Sequence, residues 1–293
     1  RSTQAKTLFP YTTLFRSAPW LESPAGRYLL AWEQRQLDHV VADIFGYHAV
    51  QLGWPMVQAL RASRISHRWL LNDGTLEAGP DLALLPPGGL GAGGSPPEGG
   101  GALAVSVLSA FETLPFPSGS LDLVVLPHTL EMSGDAHQTL REVERVLMPE
   151  GRVVIVGFNP LSLWGAAHGL ERLGVPGWRG RTGLPAHGTG ELIGWRRLRD
   201  WLRLLGLEVE SGRFGCYRPP FSTQRWLERS AWCDAAGERW WPVLGSVYLM
   251  VAVKRVRAVR LLGGPQWKIN RRRRAAAPAV VTRGRPVPRC EDR

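Results

Sequence analysis

Long apolar runs are missing from this 293-residue sequence. The stretch YLMVAV at Tyr248–Val253, VYLMVAV with Val247 included, falls far short of the ~20 residues that a membrane-crossing helix needs, so no membrane span is expected. Cysteine is scarce too. Cys216, Cys233 and Cys290 are far apart and odd in number, with no C-x-x-C spacing. That argues against a disulfide framework and against zinc ligation, and suits bystander thiols in a reducing cytoplasm. The start offers no positively charged segment leading into an apolar core and a small-residue cleavage site, so no secretory leader is read from it.

An excess of acid is also lacking, and the excess of base is local. From Lys254 onward there are 13 Lys/Arg against 2 Asp/Glu, whereas residues 1–253 hold 23 of each. The body is therefore neutral, and the formal charge of +11 belongs to the C-terminal segment, which includes RRRR at Arg271–Arg274. Residues 261–293 read as a basic, disordered tail. It is either simply solvated or a source of electrostatic attraction to nucleic acid or anionic lipid. At the other end, TLFPYTTLFRS (Thr7–Ser17) resembles the translation of a sequencing adapter. Residues 1–17 are set aside from the fold on that ground.

What is there is an alternation of helical and strand patterns. Gly26–Gly46 repeats apolar residues at three- and four-residue steps, as an amphipathic helix does. Strands are expected at Tyr47–Leu52 and His67–Leu71. A Gly/Pro-rich surface insertion follows at residues 77–101. Further strands are expected at Ala102–Leu108, Leu121–Pro127 and Arg152–Phe158, with a helix at Asp135–Gly151 between the last two. A helix at Trp195–Gly206, a strand at Leu207–Tyr217, a helix at Ser222–Gly237 and a strand at Ser246–Val256 complete the pattern. The alternation predicts an α/β fold, a mostly parallel sheet with helices on both faces.

The segment FETLPFPSGSLDLVVLPHTLEMSGDAHQTLREVERVLMPEGRVVIVGF, Phe111–Phe158, resembles the S-adenosylmethionine-dependent methyltransferases of class I, specifically the type 11 methyltransferase domain. The carrying pieces are LPFPSGSLDLVV, then HQTLREVERVLMPEGRVVIVGF with its L-x-P-x-G turn at Leu147–Gly151. The text from GRYLLAWEQ through FGYHAVQLG to RFGCYRPP also resembles a bacterial subgroup of that family. The resemblance spans Trp20–Arg260 and places a single domain over residues 18–260. It implies a Rossmann-like seven-stranded sheet with an antiparallel last strand, S-adenosylmethionine as cofactor, and transfer of a methyl group to an unidentified small-molecule acceptor. The alternatives are a fold retained for binding or regulation without catalysis, and a nucleic-acid methyltransferase that uses the basic tail.

Four contacts with the cofactor are implied by the resemblance. The loop after the first strand, normally acidic and glycine-rich, reads QLGWPM here: Gly53 matches the first glycine, Gln51 stands at the acidic position, and the later glycines are absent. Asp73 stands where an acid binds the ribose hydroxyls, or else belongs to an ordinary Asn-Asp-Gly turn. After the third strand the usual acid is Ala110, with Phe111 placed to cover the adenine and Glu112 nearby. At the end of the fourth strand come Leu126, Pro127, His128 and Glu131. His128 is the acid/base candidate, or else a histidine that shapes the loop. Trp226, Trp232, Trp240 and Trp241 are expected in packing or a substrate cap, and Arg213, Tyr217 and Arg218 as candidates for an anionic substrate group.

Overall fold

The computed structural model describes residues 23–73, 105–174, 192–219 and 223–255. The proposed adapter segment, the Gly/Pro-rich insertion and the basic tail lie outside the described residues. A helix, α1 (Pro24–Ala42), leads into β1 (His48–Leu52) and β2 (His67–Asn72). β3 (Val105–Leu108) and β4 (Leu121–Pro127) follow, then a single turn α2 (Thr129–Met132), α3 (Ala136–Val146) and β5 (Leu147–Phe158). The remainder is α4 (Leu163–Arg172), α5 (Trp195–Leu204), β6 (Leu207–Gly215), α6 (Gln224–Arg229), α7 (Trp232–Trp240), a short 3-10 turn at Pro242–Leu244 and β7 (Val247–Lys254).

The strands form one seven-stranded sheet in the order β3-β2-β1-β4-β5-β7-β6. β1 to β5 are mutually parallel, and β7 runs antiparallel to both β5 and β6. This is the sheet expected from the sequence. Because side chains alternate along a strand, each strand feeds two cores. Ala49, Leu123, Val125, Val154 and Val156 pack beneath α1 with Leu29, Leu37 and Val41. Val50, Leu52, Val124, Leu126, Val153 and Ile155 pack beneath α3 and α5 with Leu140, Val143, Leu198 and Leu202.

Several elements differ from expectation, each for a local reason. The helix before β5 ends at Val146, and Leu147 already pairs with Leu121. LMPEG is thus a bulged start of β5, with Glu150 in the left-handed region at φ 64°. Ser222–Gly237 was expected as one helix; α6 and α7 instead flank a break at Ser230–Ala231, where the Ser230 hydroxyl donates to the Leu227 carbonyl. Between β1 and β2 residues 53–66 make consecutive turns and no helix.

The strand order reverses between β1 and β4: β2 and β3 lie to one side, β5 and the β7–β6 pair to the other. In doubly wound folds the crevice at the carboxyl ends of such a pair is where ligands bind. Here it is bounded by the turn after Leu52 and the turn after Pro127.

Candidate functional site

At the end of β1 the chain keeps to the sheet for one more hydrogen bond, from the Gly53 amide to the Leu71 carbonyl (2.7 Å). It then turns through two successive left-handed residues, Gly53 (φ 72°) and Trp54 (φ 40°). Glycine adopts this conformation freely and tryptophan does not. The side chain of Gln51 holds the turn. Its amide nitrogen donates to the carbonyls of Gly53 (3.2 Å), Trp54 (2.9 Å) and Val57 (2.6 Å), and its oxygen accepts from the Ala59 amide (3.0 Å). Only a side chain that both donates and accepts can do this, which accounts for an amide at the position where the family pattern has an acid.

Across the crevice, His128 follows β4 in a left-handed conformation (φ 54°) and is buried. Its Nε2 lies 2.8 Å from Glu33 Oε1 and its Nδ1 3.2 Å from Glu131 Oε2. The ring is sandwiched between Phe158 (centroids 4.2 Å apart) and Trp54 (4.5 Å). Burial alone would lower its pKa; the Glu33 and Glu131 carboxylates outweigh burial and hold it raised to about 9. The ring is thus cationic at neutral pH. Burial pushes the Glu131 carboxyl above its usual range, opposed by His128 and by the Phe158 amide, which donates to Glu131 Oε1 (2.6 Å). Glu33 Oε2 is buried with no hydrogen-bond partner among the described residues.

The crevice itself is stitched shut. The Thr129 hydroxyl donates to the Leu52 carbonyl, joining the ends of β4 and β1. Phe111, buried among Leu52, Leu126 and Leu130, extends its ring over Gly53. A Cβ placed on Gly53 would meet Phe111 Cζ at 3.3 Å and Thr129 Oγ1 at 3.5 Å.

The structure therefore brings Gln51, Gly53, Phe111 and His128 together at the expected edge. Leu126 is buried in the core under α3 and α5, where Phe111 also packs. Asn72 Oδ1 accepts from the Asp73 amide (3.1 Å), a local turn at the end of β2. Glu112 faces away: its Oε1 accepts from the amides of Gly134 (3.0 Å) and Asp135 (3.3 Å). Arg218 pairs with Asp234 (2.8 Å), the Tyr217 hydroxyl donates to the Pro242 carbonyl, and Arg213 donates to Gln36. Trp226, Trp232, Trp240 and Trp241 are 56–69% exposed, with Arg229 over the Trp226 ring and Trp240 against Trp241. Sequence reasoning missed Glu33. Its signal was available: Leu29, Glu33, Leu37 and Val41 recur at four-residue steps, which places a carboxylate on the buried stripe of α1.

Phe111 fills the ground over Gly53 on which the family resemblance would rest S-adenosylmethionine, and the Gln51 amide is spent on the turn. In this conformation the residues do not fit the cofactor.

Residues 97–155 match the family described as methyltransferase domain. That match is to the type 11 methyltransferase domain and spans about a fifth of the chain. Among curated proteins, it is 34% identical over 167 residues to the Escherichia coli (strain K12) protein named uncharacterized protein YafS. That match covers 57% of this chain and 62% of the relative, so the chain spans about three fifths of the relative's length. It is 44% identical over 48 residues to the ubiquinone/menaquinone biosynthesis C-methyltransferase UbiE of Hahella chejuensis (strain KCTC 2396), covering 16% of this chain and 19% of that one. A SAM-dependent methyltransferase structure from Thermotoga maritima matches with a TM-score of 0.53 at 13% identity, covering 84% of this chain and 97% of that one. A structure of the Haloferax volcanii Trm112 methyltransferase activator in complex with a methyltransferase matches with a TM-score of 0.50 at 17% identity, covering 84% and 99%. At these identities the structural likeness establishes the fold.

Proposed function

We propose that this protein is an S-adenosylmethionine-dependent methyltransferase acting on an unidentified small-molecule acceptor. The observation that carries the reading is the family match itself, whose described part builds β3, β4, α3 and most of β5, one wall of the β1/β4 crevice. Phe111 meets Gly53 at the end of β1, and Gly53, Asp73 and Phe111 are the positions to which the family resemblance assigns cofactor contacts. His128 is the proposed acid/base. Held by two carboxylates it is an imidazolium, so it serves as a proton acceptor only once Glu33 or Glu131 releases a ring nitrogen. Calorimetric titration of the full chain with S-adenosylmethionine tests the reading: micromolar binding supports it, and no binding up to millimolar cofactor removes it for the isolated protein.

A second reading, a methyltransferase fold kept for binding or regulation without catalysis, is favoured by the filled ground over Gly53. It predicts the second of those outcomes. It also predicts that opening the crevice by mutation creates no affinity.

A further inference from the structure

Residues 1–253 carry as many acids as bases, yet helix α5 does not share that balance. Its ten residues, WRRLRDWLRL, hold four arginines against one aspartate. Leu198 and Leu202 are buried and set its inner face. Arg196, Arg199 and Arg203 stand at i, i+3 and i+7, so they form one row, about 10 Å long, along the helix. Arg196 and Arg203 are exposed and Arg199 partly so. The Trp195 ring lies under two of these guanidiniums, Arg196 (5.4 Å) and Arg199 (5.2 Å). On the other flank Arg197 lies over Trp201 (4.8 Å), against which His137 of α3 also packs (3.7 Å). An arginine stacked on an indole keeps its N–H edge available and loses less freedom when it grips a ligand.

The acids of the neighbouring elements are paired elsewhere. In α3, Glu142 pairs with Arg145 (2.8 Å) and Glu144 with Lys254 (2.9 Å). In β6, against which α5 packs, Glu208 pairs with Arg255 (3.2 Å) and Glu210 with Arg152 (3.0 Å). Asp200, the one acid of α5, lies 3.8 Å from Arg199, beyond hydrogen-bond reach. Arg196 and Arg203 have no ion pair among the described residues. The row is therefore a local excess of positive charge on a neutral body.

We propose that the row Arg196, Arg199 and Arg203 is a docking surface for a single nucleic-acid strand. Guanidinium forks match phosphate oxygens, and guanidiniums held over an indole offer their outer planes to bases. A lipid surface would ask for apolar side chains standing beyond the arginines. In α5 only Leu204, its last residue, is an exposed apolar side chain, and the Trp195 ring lies beneath the guanidiniums. The inference places the contact on the folded body, apart from Arg271–Arg274. It does not depend on methyl transfer or on what the β1/β4 crevice holds.

The experiment measures binding of a fluorescently labelled oligo(U) strand of about twelve nucleotides to the full chain, by anisotropy over a series of salt concentrations. It compares the unmodified protein, a variant with Arg196→Ala, Arg199→Ala and Arg203→Ala together, Arg196→Glu alone, and a variant with Arg271–Arg274 all changed to alanine. Circular dichroism and melting curves identify which proteins are folded; where the triple variant does not fold, Arg196→Glu carries the test. The expected result is binding that weakens steeply with salt. The triple variant should lose about tenfold or more at low salt and flatten the slope of log affinity against log salt by about 2, whether or not the tail arginines are present. Absence of binding by the unmodified protein overturns the proposal, and so does binding that the triple variant and Arg196→Glu leave unchanged. Vesicles containing phosphatidylserine, bound in place of the strand and released by the same substitutions, would assign the row to a membrane and overturn it as well.

Discussion

At the scale of single residues, Gln51 shows how one atom changes what a position can do. Three carbonyls face its amide nitrogen. Gln51→Glu would set a carboxylate against all three in a buried site, so the expected outcome is a loss of about 2–4 kcal/mol, read as a lower melting temperature. Gln51→Ala should cost nearly as much, because it strands the same backbone groups. His128 makes a prediction about pH. Its folded-state pKa of about 9 lies above the ordinary 6.5, so its contribution is fully present below pH 6.5 and is lost as pH rises through 9. The groups that face it are Glu33 from α1 and Glu131 from α2, with Trp54 and Phe158 on its faces. Thermal stability is expected to fall by about 3 kcal/mol between those limits, and His128→Gln should flatten the profile. A melting temperature that holds steady from pH 6.5 to 9.5 would contradict it.

At the scale of elements, the connection between β1 and β2 is the feature that departs most from a doubly wound fold. Its fourteen residues, 53–66, span a parallel crossover by turns, held by the buried Trp54, Val57, Leu60 and Ile65. Without a helix here, no helix N-terminus offers its amides to an anionic group at the end of β1. Trp54→Ala removes the largest of these anchors and one face of the His128 ring; the expected cost is about 3–5 kcal/mol, measured by denaturant unfolding. Helix α1 is anchored in a different way, by Glu33 reaching the centre of the molecule. Glu33→Ala should leave the His128 cation short of a partner in a buried site and cost about 3–5 kcal/mol, whereas Glu33→Gln should cost less.

At the scale of the whole molecule, the sheet was legible in the sequence wherever the core is continuous. Leu121–Pro127 reads as a strand buried on both faces, and it is one. The seven strands and the antiparallel β7 came from the family resemblance and hold in the structure. What periodicity could not give was the sense of close contacts. LMPEG reads as a helix stop, yet pairing with Leu121 draws it into β5. Gln51 reads as a weakened acid, and only its four partners show it to be a brace. The seat of Phe111 is set by residues from β1, β4 and α2, which no local pattern contains. Glu33 was readable from its spacing alone. Charge is a property of the whole chain too. If Arg271–Arg274 serve nucleic-acid binding, affinity for RNA or DNA should fall steeply with salt, and four alanines there should flatten that slope. An unchanged slope would assign those arginines to solvation.

The Phe111 seal has a consequence in time. Exposing a buried phenylalanine costs up to about 3 kcal/mol, which would leave the ring exposed in as few as roughly one molecule in 150. The Gly53 amide, bonded to the Leu71 carbonyl at the edge of that seal, should accordingly be slow to exchange its hydrogen with water.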